Sequence, residues 1–279
     1  MAMVINTNVA SINSQRQLTN SNNALATSME RLSSGLRVNS AKDDAAGLAI
    51  GNRMDSQIRG MTVATRNASD GISMAQTAEA AMGEITQTMQ RMRDLAVQSA
   101  NDGAVTGDDR DKLQSEFQQL NAELTRIITN TEFNGKKIIN GSLAGGVAIQ
   151  VGANTSSDNQ ITVDVANLSA TIADVTTASI GGSAAVAGAL AAITAIDTAI
   201  EAIDTSRAKL GAVQNRFTTT ISNLQSSIEN QSAAKSRIMD TDFAAETAQL
   251  SRNQILQQAG TAMLSQANQA PQAVLGLLR

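Results

Sequence analysis

"MDSQIRGMTVATRNASDGISMAQTAEAAMGEITQTMQRMRDLA" (Met54–Ala96) carries a small or sulfur-bearing apolar residue at every seventh position: Met54, Met61, Ala68, Ala75, Met82, Met89 and Ala96. Ile58 and Ile72 take the alternate seam position at first, and Ile85 and Met92 take it later. A 3-4 alternation sustained over so many turns predicts a coiled-coil-like helix rather than a helix of a rounded core. The proline-free run extends from Asp44 to about Ala100, on the order of 80 Å at 1.5 Å per residue.

Working outward, "NDGAVTG" (Asn101–Gly107) supplies turn chemistry, and the acidic run after it reads as a solvated turn lacking the ligand spacing of a calcium loop. A second stripe follows at Leu113, Phe117, Leu120, Leu124 and Ile127. The short connection predicts that it packs back antiparallel on the first helix. "NTEFNGKKIINGS" closes that helix with two Asn-Gly turn signals. Residues 137–165 change period, and "VAIQVGANTSSDNQITVDV" alternates around a polar turn, so a β-hairpin is expected there and nowhere else. Residues 166–187 are small, weakly polar and low in complexity, and are read as a connector with room for one helical turn, not as a domain. From about Gly188 heptads return at Ile193, Ile196, Ile200, Ile203, Leu210, Val213, Phe217, Ile221, Leu224 and Ile228, completing a bundle.

Both chain ends read as weaker helices. Leu18, Leu25 and Leu32, interleaved with Met29 and Leu36, form a seam near the N-terminus, and Phe243 to about Ala270 forms another rich in Gln and Ala. The expected fold is mainly α, an elongated antiparallel coiled-coil-like bundle with a small β-hairpin and with N- and C-terminal helices paired. Three segments follow: 1–43 and 240–279 as the halves of a terminal domain, and 44–239 as a helical rod holding the hairpin and connector.

Composition narrows the function. There is no Cys, His, Trp or Tyr, and aromatic residues make up 1% of the chain. Disulfides, thiolate metal sites and the commonest general base are thereby removed, and an enzyme, a metal or a cofactor is not expected. The net charge of −4 speaks against nucleic acid as partner. The closing "AVLGLLR" is too short for a bilayer span, which needs about 20 apolar residues. The first residues show no Sec-type leader. Terminal stripes too poor to fold alone, ending on exposed apolar residues, suggest helices that are buried by neighbouring copies of the chain.

At this point the sequence resembles a known family. "INTNVASINSQRQL" with "ERLSSGLRVNSAKDDAAGLAI", and "LGAVQNRF" with "QILQQAGTAMLSQANQAPQAVLGLLR", look like bacterial flagellin across roughly residues 1–165 and 188–279. The resemblance implies a subunit of the flagellar filament, with paired terminal helices forming an inner polymerisation domain and no room for outer domains. It also implies an extracellular location reached through the flagellar type III export channel without a cleaved signal. The alternative within the resemblance is a hook–filament junction protein. A signalling coiled coil would need a membrane or sensory segment that is not visible.

Further partners are implied by position. The family's Toll-like immune receptor contact maps to Gln90, Arg91 and Leu95, with Glu116 on the adjacent helix. An export chaperone is expected on the C-terminal helix, and the filament cap and junction proteins at filament ends. Polymerisation is assigned to Leu18, Leu25, Leu32, Leu256, Met263, Val274, Leu275, Leu277 and Leu278.

Overall fold

The computed structural model describes residues 7–143, 145–182 and 185–276, with side chains described up to Gln269. Its helices are α1 (Val9–Ser34), α2 (Ala45–Ser99), α3 (Gly107–Asn130), α4 (Leu168–Thr171), α5 (Ala173–Thr177), α6 (Ala185–Met239) and α7 (Phe243–Gly276). The strands are β1 (Glu132–Phe133), β2 (Lys136–Lys137), β3 (Val147–Gln150) and β4 (Gln160–Val163). Two compact units result: Ile58–Ile228, and the two chain ends up to Gln57 and from Glu229. The division falls inside α2 and α6, not at the non-helical breaks 43/44 and 239/240 expected from sequence.

In the central unit, α2 buries Met61, Ala64, Ala68, Ala75, Ala78, Met82, Ile85, Met89, Met92 and Ala96. From Met61 onward the seven-residue series therefore lies buried as its spacing predicts, and Met54 before it is half-buried. The alternate position differs in the first half. Ala64, Gly71 and Ala78 occupy it, and Ile58 and Ile72 flank the seam half-buried. Close packing is the reason: a Cβ on Gly71 would stand 2.7 Å from Ile149 Cδ1 and 2.8 Å from Phe217 Cζ. A larger residue there would push the hairpin and α6 away. Phe117 of α3 and Phe217 of α6 are the largest fully buried side chains.

The expected hairpin is β3–β4, antiparallel with Val147 opposite Val163 and Gln150 opposite Gln160. A second ribbon, β1–β2, was not expected. Asn134 (φ 50°) and Gly135 (φ 75°) make a two-residue turn with both central residues left-handed. That geometry lets the chain reverse and pair immediately, where the sequence suggested only a helix stop.

The 166–187 segment is more than a connector. Leu168, Ile172, Val175 and Ile180 are buried in the central core. The Leu168 N–H donates to the Ile139 carbonyl (3.0 Å), and the Ile180 N–H donates to Gln114 Oε1 (2.6 Å). The i, i+4, i+7 spacing of Leu168, Ile172 and Val175 runs along two short helices, α4 and α5. The Ala, Ser and Thr around them hid that pattern from a composition-based reading. Nor is the acidic turn before α3 merely solvated. Arg110 is buried, donating from Nε to the Ser99 carbonyl (3.1 Å) and from Nη2 to Asp102 Oδ1 (2.7 Å). Ser99 in turn donates from its hydroxyl to the Ile180 carbonyl (2.5 Å), so Ser99 ties the bend held by Arg110 to the one at Ile180.

Among the described residues one helix, Val186–Met239, is long and apolar enough to cross a membrane by length and composition alone. Its Ala189, Ala192, Ile196, Ala199 and Ile203 are buried in the central core, whereas Leu190 is exposed.

Candidate assembly interface

The terminal unit is built on α1 and α7. Asn8 caps α1 by accepting from the Ser11 N–H (3.0 Å), and Gly35 ends it with φ 72°, a left-handed position suited to glycine. Asp242 caps α7 by accepting from the Ala244 N–H (2.9 Å). Between the helices the chain is anchored: the Arg37 N–H donates to the Met239 carbonyl (2.6 Å), Thr241 N–H to the Gly35 carbonyl (3.0 Å), and Val38 is buried.

The two helices run antiparallel. Arg31 lies 3.8 Å from Glu246, Gln257 donates to Asn22 Oδ1 (2.9 Å), and Ser11 donates to Asn268 Oδ1 (2.7 Å). On α1 the inward positions are Ser11, Ser14, Leu18, Ser21, Leu25, Ser28 and Leu32, spaced 3 and 4 apart. On α7 they are Glu246, Leu250, Asn253, Gln257, Gly260, Leu264 and Ala267, with the same alternation. This is a coiled-coil seam in which four of the seven α1 positions are serine and five of the seven α7 positions are polar or small. Among the described side chains, the fully buried ones here are Ser11, Ser21, Ser28 and Asn253, all polar. The half-buried leucines each contribute less than the roughly 1.5–3 kcal/mol of complete burial. The pair is thus held by little apolar area and by hydrogen bonds worth about 1 kcal/mol each.

Where the sequence set Met29 and Leu36 between the leucines, the structure puts Ser21 and Ser28. Met29 points outward, 56% exposed. Leu18 packs inside the pair, where an added Cβ on Gly260 would lie 3.3 Å from its Cδ1. Leu256 and Met263 face solvent, joined by exposed Val9, Ile12, Phe243 and Ile255, which the heptad reading missed. Their signal was available: Val9, Ile12, Ile255, Leu256 and Met263 fall between the seam positions, so no partner within the pair can cover them. Val274 and Leu275 lie on α7 beyond the described side chains, and Leu277 and Leu278 lie outside the described residues.

The second predicted site lies on the central unit. Arg91 donates to Glu116 Oε1 from Nε (3.0 Å) and Nη2 (2.6 Å), joining α2 to α3. That pair is open to solvent, 55% and 45% exposed, and Gln90 beside it is also exposed. Leu95 is not part of this surface. At 1% exposure it sits in the core, three residues after buried Met92. Two residues after Arg91 and on the other side of α2, Arg93 and Asp197 form a two-bonded pair (2.6 and 3.3 Å) between α2 and α6. The Asp197 hydrogen bonds and charge hold the Arg93 guanidinium above its usual pKa. Among the described residues no group of three or more His, Cys, Asp or Glu side chains is placed to hold a metal ion.

A chain with a packed central unit and a weakly joined helix pair bearing exposed apolar side chains has clear relatives. A family model for the bacterial flagellin N-terminal helical region matches residues 5–144, and one for the C-terminal helical region matches 193–278. Flagellin of Halalkalibacterium halodurans is 46% identical over 282 aligned positions, covering 99% of this chain and 100% of that protein. Flagellin of Bacillus subtilis is 42% identical over 306 positions, again covering 99% and 100%. A solved structure assigned to a flagellar hook-associated protein of Vibrio parahaemolyticus superposes with a TM-score of 0.58 at 13% identity, covering 71% of this chain and 100% of that one. At that identity the likeness extends to the fold alone. The two matched regions and the full-length relatives together establish that the chain belongs to the bacterial flagellin family, the structural, non-enzymatic subunits of the flagellar filament outside the cell.

Proposed function

We propose that the outward apolar face of the α1/α7 pair is the polymerisation surface of this chain. Val9, Ile12 and Met29 of α1 and Ile255, Leu256 and Met263 of α7 meet the same helices on neighbouring copies. Leu18, Leu25 and Leu32 act one step back, by holding α1 on α7. The terminal Val274, Leu275, Leu277 and Leu278 extend the apolar run in the sequence and belong to the same surface in this reading. The observation that carries it is that the most buried side chains of the pair are Ser and Asn, while Val9, Ile12, Met29, Ile255, Leu256 and Met263 are left exposed on it. Covering those exposed apolar side chains with another copy is favourable, since burial of apolar area is the main driving term of association. A head-to-tail contact between such surfaces generates a filament where its rotation does not close into a ring.

The test is Ile255→Asp with Leu256→Asp in seeded elongation. Filament growth should stop while the helicity of the central unit is kept. Normal elongation by that variant would overturn the assignment.

The remaining partners follow from the same surfaces. Before assembly the exposed face of α7 needs cover, which suits an export chaperone on the C-terminal helix and passage through the type III channel without a cleaved leader. Gln90, Arg91 and Glu116 form the exposed patch that a Toll-like receptor would read. The filament cap and the hook–filament junction proteins would meet the same terminal helices at filament ends. A junction role for this chain itself is the second reading. It is separated by assembly behaviour, since a junction protein stops at short oligomers.

A further inference from the structure

We propose that Met29 and Met263 are sulfoxidation sites that switch the unassembled subunit between assembly-competent and assembly-incompetent states. This rests on the reading of the α1/α7 outer face as the polymerisation surface.

The chain holds 11 methionines and no Cys, His, Trp or Tyr. The thioethers are therefore its readily oxidised side chains, and exposure decides which of them react. Met61, Met74, Met82, Met89, Met92 and Met239 are buried, and Met54 is half-buried. Among the described residues, Met29 at 56% and Met263 at 61% are the exposed methionines, and they stand one on each terminal helix. Met29 follows seam residue Ser28, and Met263 precedes seam residue Leu264, so both point away from the pair. Met263 also lines a groove of about 340 Å³ with Leu256 and Gly260 of α7 and Ser14 and Gln17 of α1. A Leu at either position would be equally apolar, but only the thioether can be made polar without changing the chain.

The co-reactant is a hydroperoxide, with hydrogen peroxide as the simplest case. The sulfur lone pair attacks one peroxide oxygen, an S–O bond forms and the O–O bond breaks. Sulfur is oxidised by two electrons, and the departing hydroxide takes the remaining peroxide proton and leaves as water. The product is a polar sulfoxide. On the free subunit it faces solvent and leaves the fold intact. At an interface between copies it is a buried polar group without a partner, which opposes association. Assembled subunits shield the same sulfurs, so the switch acts on subunits awaiting incorporation and spares the finished polymer. Methionine sulfoxide reductases reverse it.

The experiment treats the full chain with dilute hydrogen peroxide at neutral pH, maps the added oxygen by peptide mass spectrometry, and measures seeded elongation before and after. Oxygen should appear on Met29 and Met263 well before Met82, Met89 and Met92, with helicity unchanged. Elongation should fall by about tenfold or more, as expected for one unpaired polar group at an interface. Methionine sulfoxide reductases with a dithiol should restore it. The Met29→Leu/Met263→Leu chain, whatever its own rate, should lose none of that rate on peroxide treatment. Oxygen spread evenly over buried and exposed methionines overturns the site. Site-selective oxidation without loss of elongation overturns the switch. An untreated chain that fails to elongate fails the polymerisation reading itself, and the switch with it.

Discussion

Leu95→Ala separates a core role from a surface role at the predicted receptor patch. The side chain is 1% exposed in the α2 seam beside Met92 and Ala96. Truncating a fully buried Leu loses its transfer free energy and leaves a cavity, together costing about 2–5 kcal/mol. For a domain of between 150 and 250 residues, each kcal/mol lowers the midpoint by about 2–4 °C, so a fall of roughly 4–20 °C is expected. Arg91→Ala removes one exposed ion pair with Glu116, and such pairs contribute about 0–1 kcal/mol. Its midpoint should shift by a few degrees at most. Thermal unfolding followed by far-ultraviolet circular dichroism measures both, and a receptor reporter assay is run beside it at a temperature where both variants stay folded. Arg91→Ala should lose signalling without losing stability, and Leu95→Ala the reverse. A Leu95→Ala chain with unchanged midpoint would show that the residue is not packed as described. Unchanged signalling by Arg91→Ala would remove the receptor assignment.

Three further outcomes are expected. Asn253→Leu replaces a buried amide whose Nδ2 has no hydrogen-bond partner. Amide exchange in α1 and α7 should slow, and unseeded aggregation should rise as the polar layer that restricts register is lost, measurable by hydrogen exchange and light scattering. Arg110→Ala strands the Ser99 carbonyl inside the central unit and should cost roughly 2–4 kcal/mol in urea unfolding, with Arg110→Lys recovering only part. Asp109 is held below the usual carboxylate range, first by the Thr106 hydroxyl and then by Lys112. A lowered folded-state pKa contributes stability above the unfolded value and loses it as pH falls through the folded one. Asp109→Asn should therefore flatten the acid side of the stability–pH curve, read from urea midpoints across that range.

The long central helices were legible because α2 and α6 repeat apolar residues at heptad spacing and carry no proline. The terminal pair was legible as helices but not as a seam. A reading that searches for apolar layers joins Leu18, Leu25 and Leu32 to Met29, whereas the inner face is completed by Ser21 and Ser28. Polar residues give no hydrophobic period, so that face becomes visible only once the helices are paired. The same limit concealed Leu168, Ile172 and Val175 within small residues and the burial of Arg110 within an acidic run. Leu95 was a different error. Family resemblance placed it at a contact surface, though its spacing from Met92 already put it against the core. The Asn134-Gly135 ribbon was signalled by its turn residues, and only its short strands lacked a pattern of their own.

Electron microscopy of the purified chain after seeding with short filament fragments tests the polymerisation surface most directly. Long tubes growing from the seeds are expected, with the α1/α7 amides becoming protected from exchange on incorporation. Persistent monomers or short oligomers would contradict that role and leave the outer face of the helix pair to a different partner.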